Sequence, residues 1–326
     1  MIQSDWNKCL QSEPGGLAAL PVRRHVWRGY FLIAAATLCW AGAATFGKAI
    51  FNGRLFRGYS LISPLVLTQT RTTFAAVMLT IFLAFREGTK AFKLPRRALL
   101  LCGLIGTLGL AGSNFFYYWA IQKTTVAVAI TVQYTAPVWV LIFMVARGRQ
   151  AATVSKVIAV LLALAGVALV AELFSSEIKL NAAGIGAAML AAFSFSFYNI
   201  GAQELVARNN PLQIMNYALL SSAALWLVVD PPWRLAAKHY TGGQWGFLFA
   251  FACLSMLLPY VLYFHGLKYL DPTRAVVTSC LEPVFATLFA ALFIGENVHG
   301  MQAIGIAAVL IATIMVQRKA ATTGLN

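Results

Sequence analysis

A glutamate stands inside an almost wholly apolar stretch, LEPVFATLFAALFIGE, residues 281–296. Glu282 lies about ten residues into a hydrophobic run, roughly 15 Å deep at 1.5 Å per residue. A short carboxylate at that depth cannot reach an aqueous interface, so it has to be paired, hydrated or protonated. It can bind a cationic group, take up a proton, or tie down nearby backbone. Thr278 and Ser279 precede it by four and three residues and share its helical face. Pro283 removes a backbone donor and frees the Ser279 carbonyl, as Pro137 frees that of Gln133. Carbonyls released in this way must face protein or water, not lipid. Pro137 and Pro283 are therefore expected as helix kinks, with Gln133 beside the first.

Other polar residues stand out against the apolar text. Arg71, about two turns into its run, could pair with Glu282 or a ligand carboxylate, or snorkel to the interface. Ser196, Asn199 and Gln203 recur at three and four residues, a stripe that suits a cavity wall or hydrogen bonds between packed helices. Asn114, Tyr117 and Tyr118, with Trp119, suit the wall of a site for a flat or zwitterionic ligand, or an interfacial aromatic belt. Gly103, Gly106, Gly109 and Gly112 recur every three residues and read as close helix packing. His265 and Lys48 read as interfacial, and Glu296 as a turn residue beside Gly295.

The elements that must position these groups follow from composition. Of 326 residues, 60% are hydrophobic and 11% charged, against about 25% charged in soluble domains. Mean hydropathy is +0.74. Apolar runs of about 20 residues recur from Tyr30 to Val316, which defines an all-α integral membrane protein. Ten spans are expected, near 29–51, 64–85, 97–120, 124–146, 154–172, 181–204, 211–230, 243–266, 272–294 and 299–317. Residues 1–28 and 318–326 are then tails. The net charge of +15 sits in short loops, which excludes nucleic acid as its target and fits anionic lipid. With both termini cytoplasmic, seventeen Lys and Arg residues fall inside and seven outside. The five cysteines show neither disulfide nor metal spacing, and no cofactor is expected.

The chain repeats itself. A shift of 146 residues lays Pro283 on Pro137, Val284 on Val138, Phe289 on Phe143 and Tyr263 on Tyr117. After the first copy comes RGRQAATVSK, with three basic residues; the aligned text after the second is FIGENVHGMQ, with one acid and no Lys or Arg. One loop reads as cytoplasmic and the other as external, so the expectation is a 5+5 inverted repeat, residues 29–172 and 181–317. Inverted repeats place a ligand site near the midplane at the repeat interface.

YYWAIQKTTVAVAITVQYTAPVWVLIF in the first half, and YFHGLKYLDPTRAVVTSCLEPVFATLFAALFIGENVHG in the second, resemble the drug/metabolite transporter superfamily, in particular its EamA-type members. The first copy departs from that pattern, with Arg149-Gln150 where Gly-Glu is expected. The resemblance implies a secondary carrier of small metabolites, often an exporter of amino acids or related compounds. It also implies a bacterial inner (cytoplasmic) membrane and leaves a homodimer open. The residues alone leave a channel or a membrane-embedded regulatory protein as alternatives. Sparse reactive groups make a membrane enzyme the weakest reading. No phosphate-binding loop for ATP is present.

Overall fold

The computed structural model describes residues 26–51, 64–174, 181–295 and 297–322. All regular secondary structure among them is helical, and apart from the short turns Gly88–Phe92 and Pro232–Ala236 the helices are α1 (Val26–Phe51), α2 (Pro64–Glu87), α3 (Arg96–Lys123), α4 (Val126–Gln133 and Ala136–Ala146), α5 (Val154–Val170), α6 (Ala182–Val206), α7 (Pro211–Val229), α8 (Gly242–Leu267), α9 (Pro272–Phe293) and α10 (Gly300–Thr322). Among the described residues, eight helices, α2–α4 and α6–α10, are long and apolar enough to cross a membrane. The α5 helix is apolar but has only 17 residues, at the short end of the spanning range. Large apolar side chains face outward, with Phe85 89% and Val228 78% exposed. Lipid is the medium in which such a surface is stable. Asn210 and Asp271 cap α7 and α9 by accepting from the Leu212 and Arg274 backbone amides at 3.0 Å, and each precedes a proline at the first helical position.

Two interior breaks and two wide turns mark equivalent places in the halves. The α4 helix breaks at Tyr134 and Thr135, and α9 at Cys280, which the 146-residue shift lays on Tyr134. Each break opens three residues before a proline, Pro137 in the first half and Pro283 in the second. The α3 helix widens to π geometry over Ile105–Ala111, and α8 over Cys253–Leu257, which the same shift places within the first. The sequence reads as regular helix there. π-Bulges carry no strong composition signal, yet they gather at functional sites.

Buried side chains form one large core among α1–α3 and α6–α8 and another among α4, α5, α9 and α10. The α3 helix packs on α6 and α7, and α8 on α1 and α2. Similarly α6 meets α4, and α1 meets α9, while α2 meets α7 and α5 meets α10. Exchanging each helix with the one five places later leaves this pattern unchanged. The α5–α10 crossing is drawn tight by Gly166 and Gly305. A Cβ on either would lie within 2.8 Å of the other's carbonyl oxygen. Small residues let backbones approach where lipid offers no hydrophobic drive.

Side-chain ties sort the helix ends. At one end Thr273 Oγ1 donates to Gln150 Oε1 at 2.9 Å, Arg149 meets Glu204 at 3.0 Å, and Asn210 meets Glu87 at 3.4 Å. At the other, His299 lies 3.9 Å from Glu172, and Gln69 donates to the Asp230 carbonyl. So α9 starts where α4 finishes, and the two run in opposite directions.

Candidate functional site

A cavity of about 180 Å³ lies among α1, α2, α3, α4, α6, α8 and α9. Its wall includes Arg71, Asn114, Tyr117, Tyr118, Gln133 and Glu282, six of the residues singled out from the sequence. Arg71 stands about two turns from the start of α2, and Tyr117 and Tyr118 stand near the end of α3. The cavity therefore lies toward the end of the bundle that carries Asp230 and Glu172. At the opposite end α1 and α8 close on each other. A Cβ on Gly266 would lie 2.5 Å from Ile33 and 3.2 Å from the Gly29 carbonyl.

Arg71 and Glu282 are each held by a neutral neighbour. Arg71 Nη2 donates to Asn114 Oδ1, and its guanidinium lies 6.0 Å from the centre of the Tyr118 ring. Asn114 Nδ2 in turn donates to the Leu110 carbonyl at 2.8 Å, one helical turn back and inside the π segment, so its oxygen is turned toward Arg71. The Tyr134 hydroxyl lies 2.8 Å from Glu282 Oε2 and 3.2 Å from the Ser279 carbonyl that Pro283 frees. The one phenolic hydroxyl thus ties the Glu282 side chain to the break in α9. Gln133 donates to Ser113 Oγ at 3.1 Å, which joins α4 to α3.

The remaining candidates lie behind the wall. Thr278 and Ser279 are buried and donate back to the Arg274 and Val276 carbonyls at 2.7 Å. Ser196 Oγ lies 2.7 Å from the Ala192 carbonyl and 3.3 Å from that of Ala136, and so bridges α6 to α4. Asn199 donates to the Phe195 carbonyl at 2.7 Å and accepts from the Tyr263 hydroxyl at 2.6 Å. Tyr263 packs 5.3 Å from Trp40, which lines the cavity. Asn199 thus supports the wall without forming it. Gln203 is half-buried and outside the cavity. His265 Nδ1 lies 2.7 Å from the Val261 carbonyl. Glu296 falls outside the described residues, as does the side chain of Lys48.

Sequence reasoning missed Trp40, Ser113, Tyr134, Ser255 and Tyr260 on the wall. Tyr134 had a usable signal, since it aligns with Cys280, two residues before Glu282. Among the described residues no group of three or more His, Cys, Asp and Glu could hold a metal ion.

A helical bundle with a lipid-facing apolar surface, enclosing a cavity lined by Arg71, Glu282 and aromatic side chains, is the architecture of an integral membrane protein. The EamA-like transporter family model matches twice, over residues 27–171 and 182–318, and the chain belongs to that family. It is 26% identical over 306 residues to the threonine/homoserine exporter RhtA of Escherichia coli strain K12, covering 92% of this chain and 94% of that one. An uncharacterized transporter of Archaeoglobus fulgidus is 30% identical over 217 residues, 65% of this chain and 76% of its own. A crystal structure with 20% identity matches the fold with a TM-score of 0.72, over 90% of this chain and 98% of that chain. Family and relatives together make this a membrane transporter.

Proposed function

We propose that the chain is a secondary carrier that exports small metabolites, amino acids or related compounds, by alternating access. Its two copies, residues 29–172 and 181–317, would form ten spans as a 5+5 inverted repeat in the cytoplasmic membrane, with both termini inside. The observation that carries the proposal is the cavity. It is lined by Arg71, Glu282 and aromatic side chains, lies beside the interrupted helices α4 and α9, and sits toward one end of the bundle, while α1 and α8 pack closely at the other. A site at the interface of two inverted copies is a common arrangement of alternating-access carriers. The opposed directions of α4 and α9 support the inversion, as does a packing pattern that survives exchange of the halves. Export of amino acids rests on the likeness to RhtA.

Glu282 would take up either a substrate cation or a proton, giving proton-coupled transport or exchange. Arg71, Asn114, Tyr117, Tyr118 and Gln133 would complete the binding wall. Ser196, Asn199, Gln203, Thr278 and Ser279 would hold the helices that carry it. Pro137 and Pro283 would act as the paired pivots. Each charge costs about 2.5–3.5 kcal/mol to place at membrane depth, which is hard to account for by packing alone.

Reporter fusions test the arrangement. Reporters joined after Gln150 and after Asn297 are expected on opposite sides of the membrane, with Gln150 cytoplasmic. A shared side would refute the inverted repeat and with it this form of alternating access.

A further inference from the structure

Building on the carrier reading, we propose that the cavity takes its substrate as a zwitterion, with the carboxylate at Arg71 and Asn114 and the ammonium at Glu282 and Tyr134. The two poles face one small space, yet among the described residues no ion pair joins Arg71 to Glu282. Side chains of opposite sign that face one low-dielectric cavity without a direct ion pair leave room between them for a ligand that bears both signs.

Each pole also has spare hydrogen-bonding capacity. A guanidinium carries five N–H donors in a fork matched to carboxylates. Asn114 engages one nitrogen of Arg71, and the buried Nε has no partner. A carboxylate accepts at about four sites, and Tyr134 fills one on Glu282. An ammonium can use the others.

Size and charge narrow the class. At about 180 Å³, the cavity is smaller than the 300–1,000 Å³ typical of drug-sized ligands. Trp40, Tyr117 and Tyr260 supply aromatic surface between the polar groups for a short side chain. A zwitterion leaves the filled site as neutral as the empty one. A cation or anion satisfies one pole, leaves the other unpaired, and adds net charge at membrane depth.

The test uses the full-length protein reconstituted in liposomes. Counterflow with a labelled mixture of the twenty common L-amino acids finds the best of them. That amino acid then competes against its own amide, which lacks the carboxylate, and its deaminated acid, which lacks the ammonium. Each analogue is expected to compete ~10- to 100-fold less well, the loss of one charge-assisted contact. In Arg71→Gln, thermal protection of the purified protein by the amide should rise to that of the parent amino acid. Discrimination against the deaminated acid should remain. The proposal is overturned if either analogue competes equally with the parent, or if Arg71→Gln relaxes discrimination against the deaminated acid instead. It is also overturned if other metabolites exchange and no amino acid does, an outcome that leaves the carrier reading standing. If nothing exchanges, the carrier reading itself fails.

Discussion

Glu282→Gln is expected to lower counterflow by roughly 100-fold or more while expression and detergent-extracted yield stay near those of the parent. The amide keeps an oxygen that can accept from Tyr134, whose hydroxyl sits 2.8 Å from the carboxylate, so the α4–α9 contact survives. The break in α9 is expected to survive too, because Pro283 is unchanged and the Ser279 carbonyl still has Tyr134 within 3.2 Å. Only the charge is lost. Truncating one partner of a hydrogen-bonded charge pair costs about 2–5 kcal/mol, and 2.8 kcal/mol is a factor of 100. A purely structural glutamate, whose contact with Tyr134 the amide keeps, would leave both yield and rate near those of the parent. Unchanged counterflow in the variant would remove Glu282 from the transport step.

The second large effect is on folding. Gly106→Ala is expected to destabilise the protein by about 3 kcal/mol or more, whereas Gly103→Ala, one step along the same ladder, is expected to be neutral or slightly stabilising. A Cβ on Gly106 would lie 2.3 Å from the Ala218 carbonyl oxygen and 2.9 Å from Ser221 Cβ. Backbone on α7 cannot yield as a flexible side chain does, so α3 and α7 must separate. Overpacking in a well-filled interior costs 1–3 kcal/mol and sometimes more. A Cβ on Gly103 would meet nothing within 4 Å, and alanine gains about 0.5–1 kcal/mol over glycine in a helix. Thermal unfolding of the two purified variants in one detergent reads the difference. Equal midpoints would mean that α3 and α7 are not in this close contact.

The same ladder shows what can be read from the text. Its period of three predicts close packing, and Gly106, Gly109 and Gly112 meet neighbouring helices while Gly103 does not. Spacing cannot say where along a helix the neighbour departs. Charges were legible because an ionised group is conspicuous in apolar text, and both Arg71 and Glu282 line the cavity. The prolines were legible because their backbone consequence is local. Small polar residues were ambiguous for a physical reason. A Ser, Thr or Asn in a membrane helix can satisfy itself on the carbonyl one turn back, as Ser196, Asn199 and Thr278 do, so its presence does not reveal a cavity. Aromatic wall residues such as Trp40 and Tyr260 were illegible because core, belt and cavity draw on the same side chains. The π segments in α3 and α8 depend on packing between helices and leave no mark in either one's sequence.

Counterflow tests the carrier account most directly. Proteoliposomes holding the full-length protein are loaded with unlabelled amino acids and diluted into the trace-labelled mixture. Label should accumulate transiently above its external concentration, saturate with substrate, and vanish in Glu282→Gln vesicles. Steady ion conductance across a planar bilayer, with no overshoot of label in the vesicles, would contradict the account and make the cavity part of a pore.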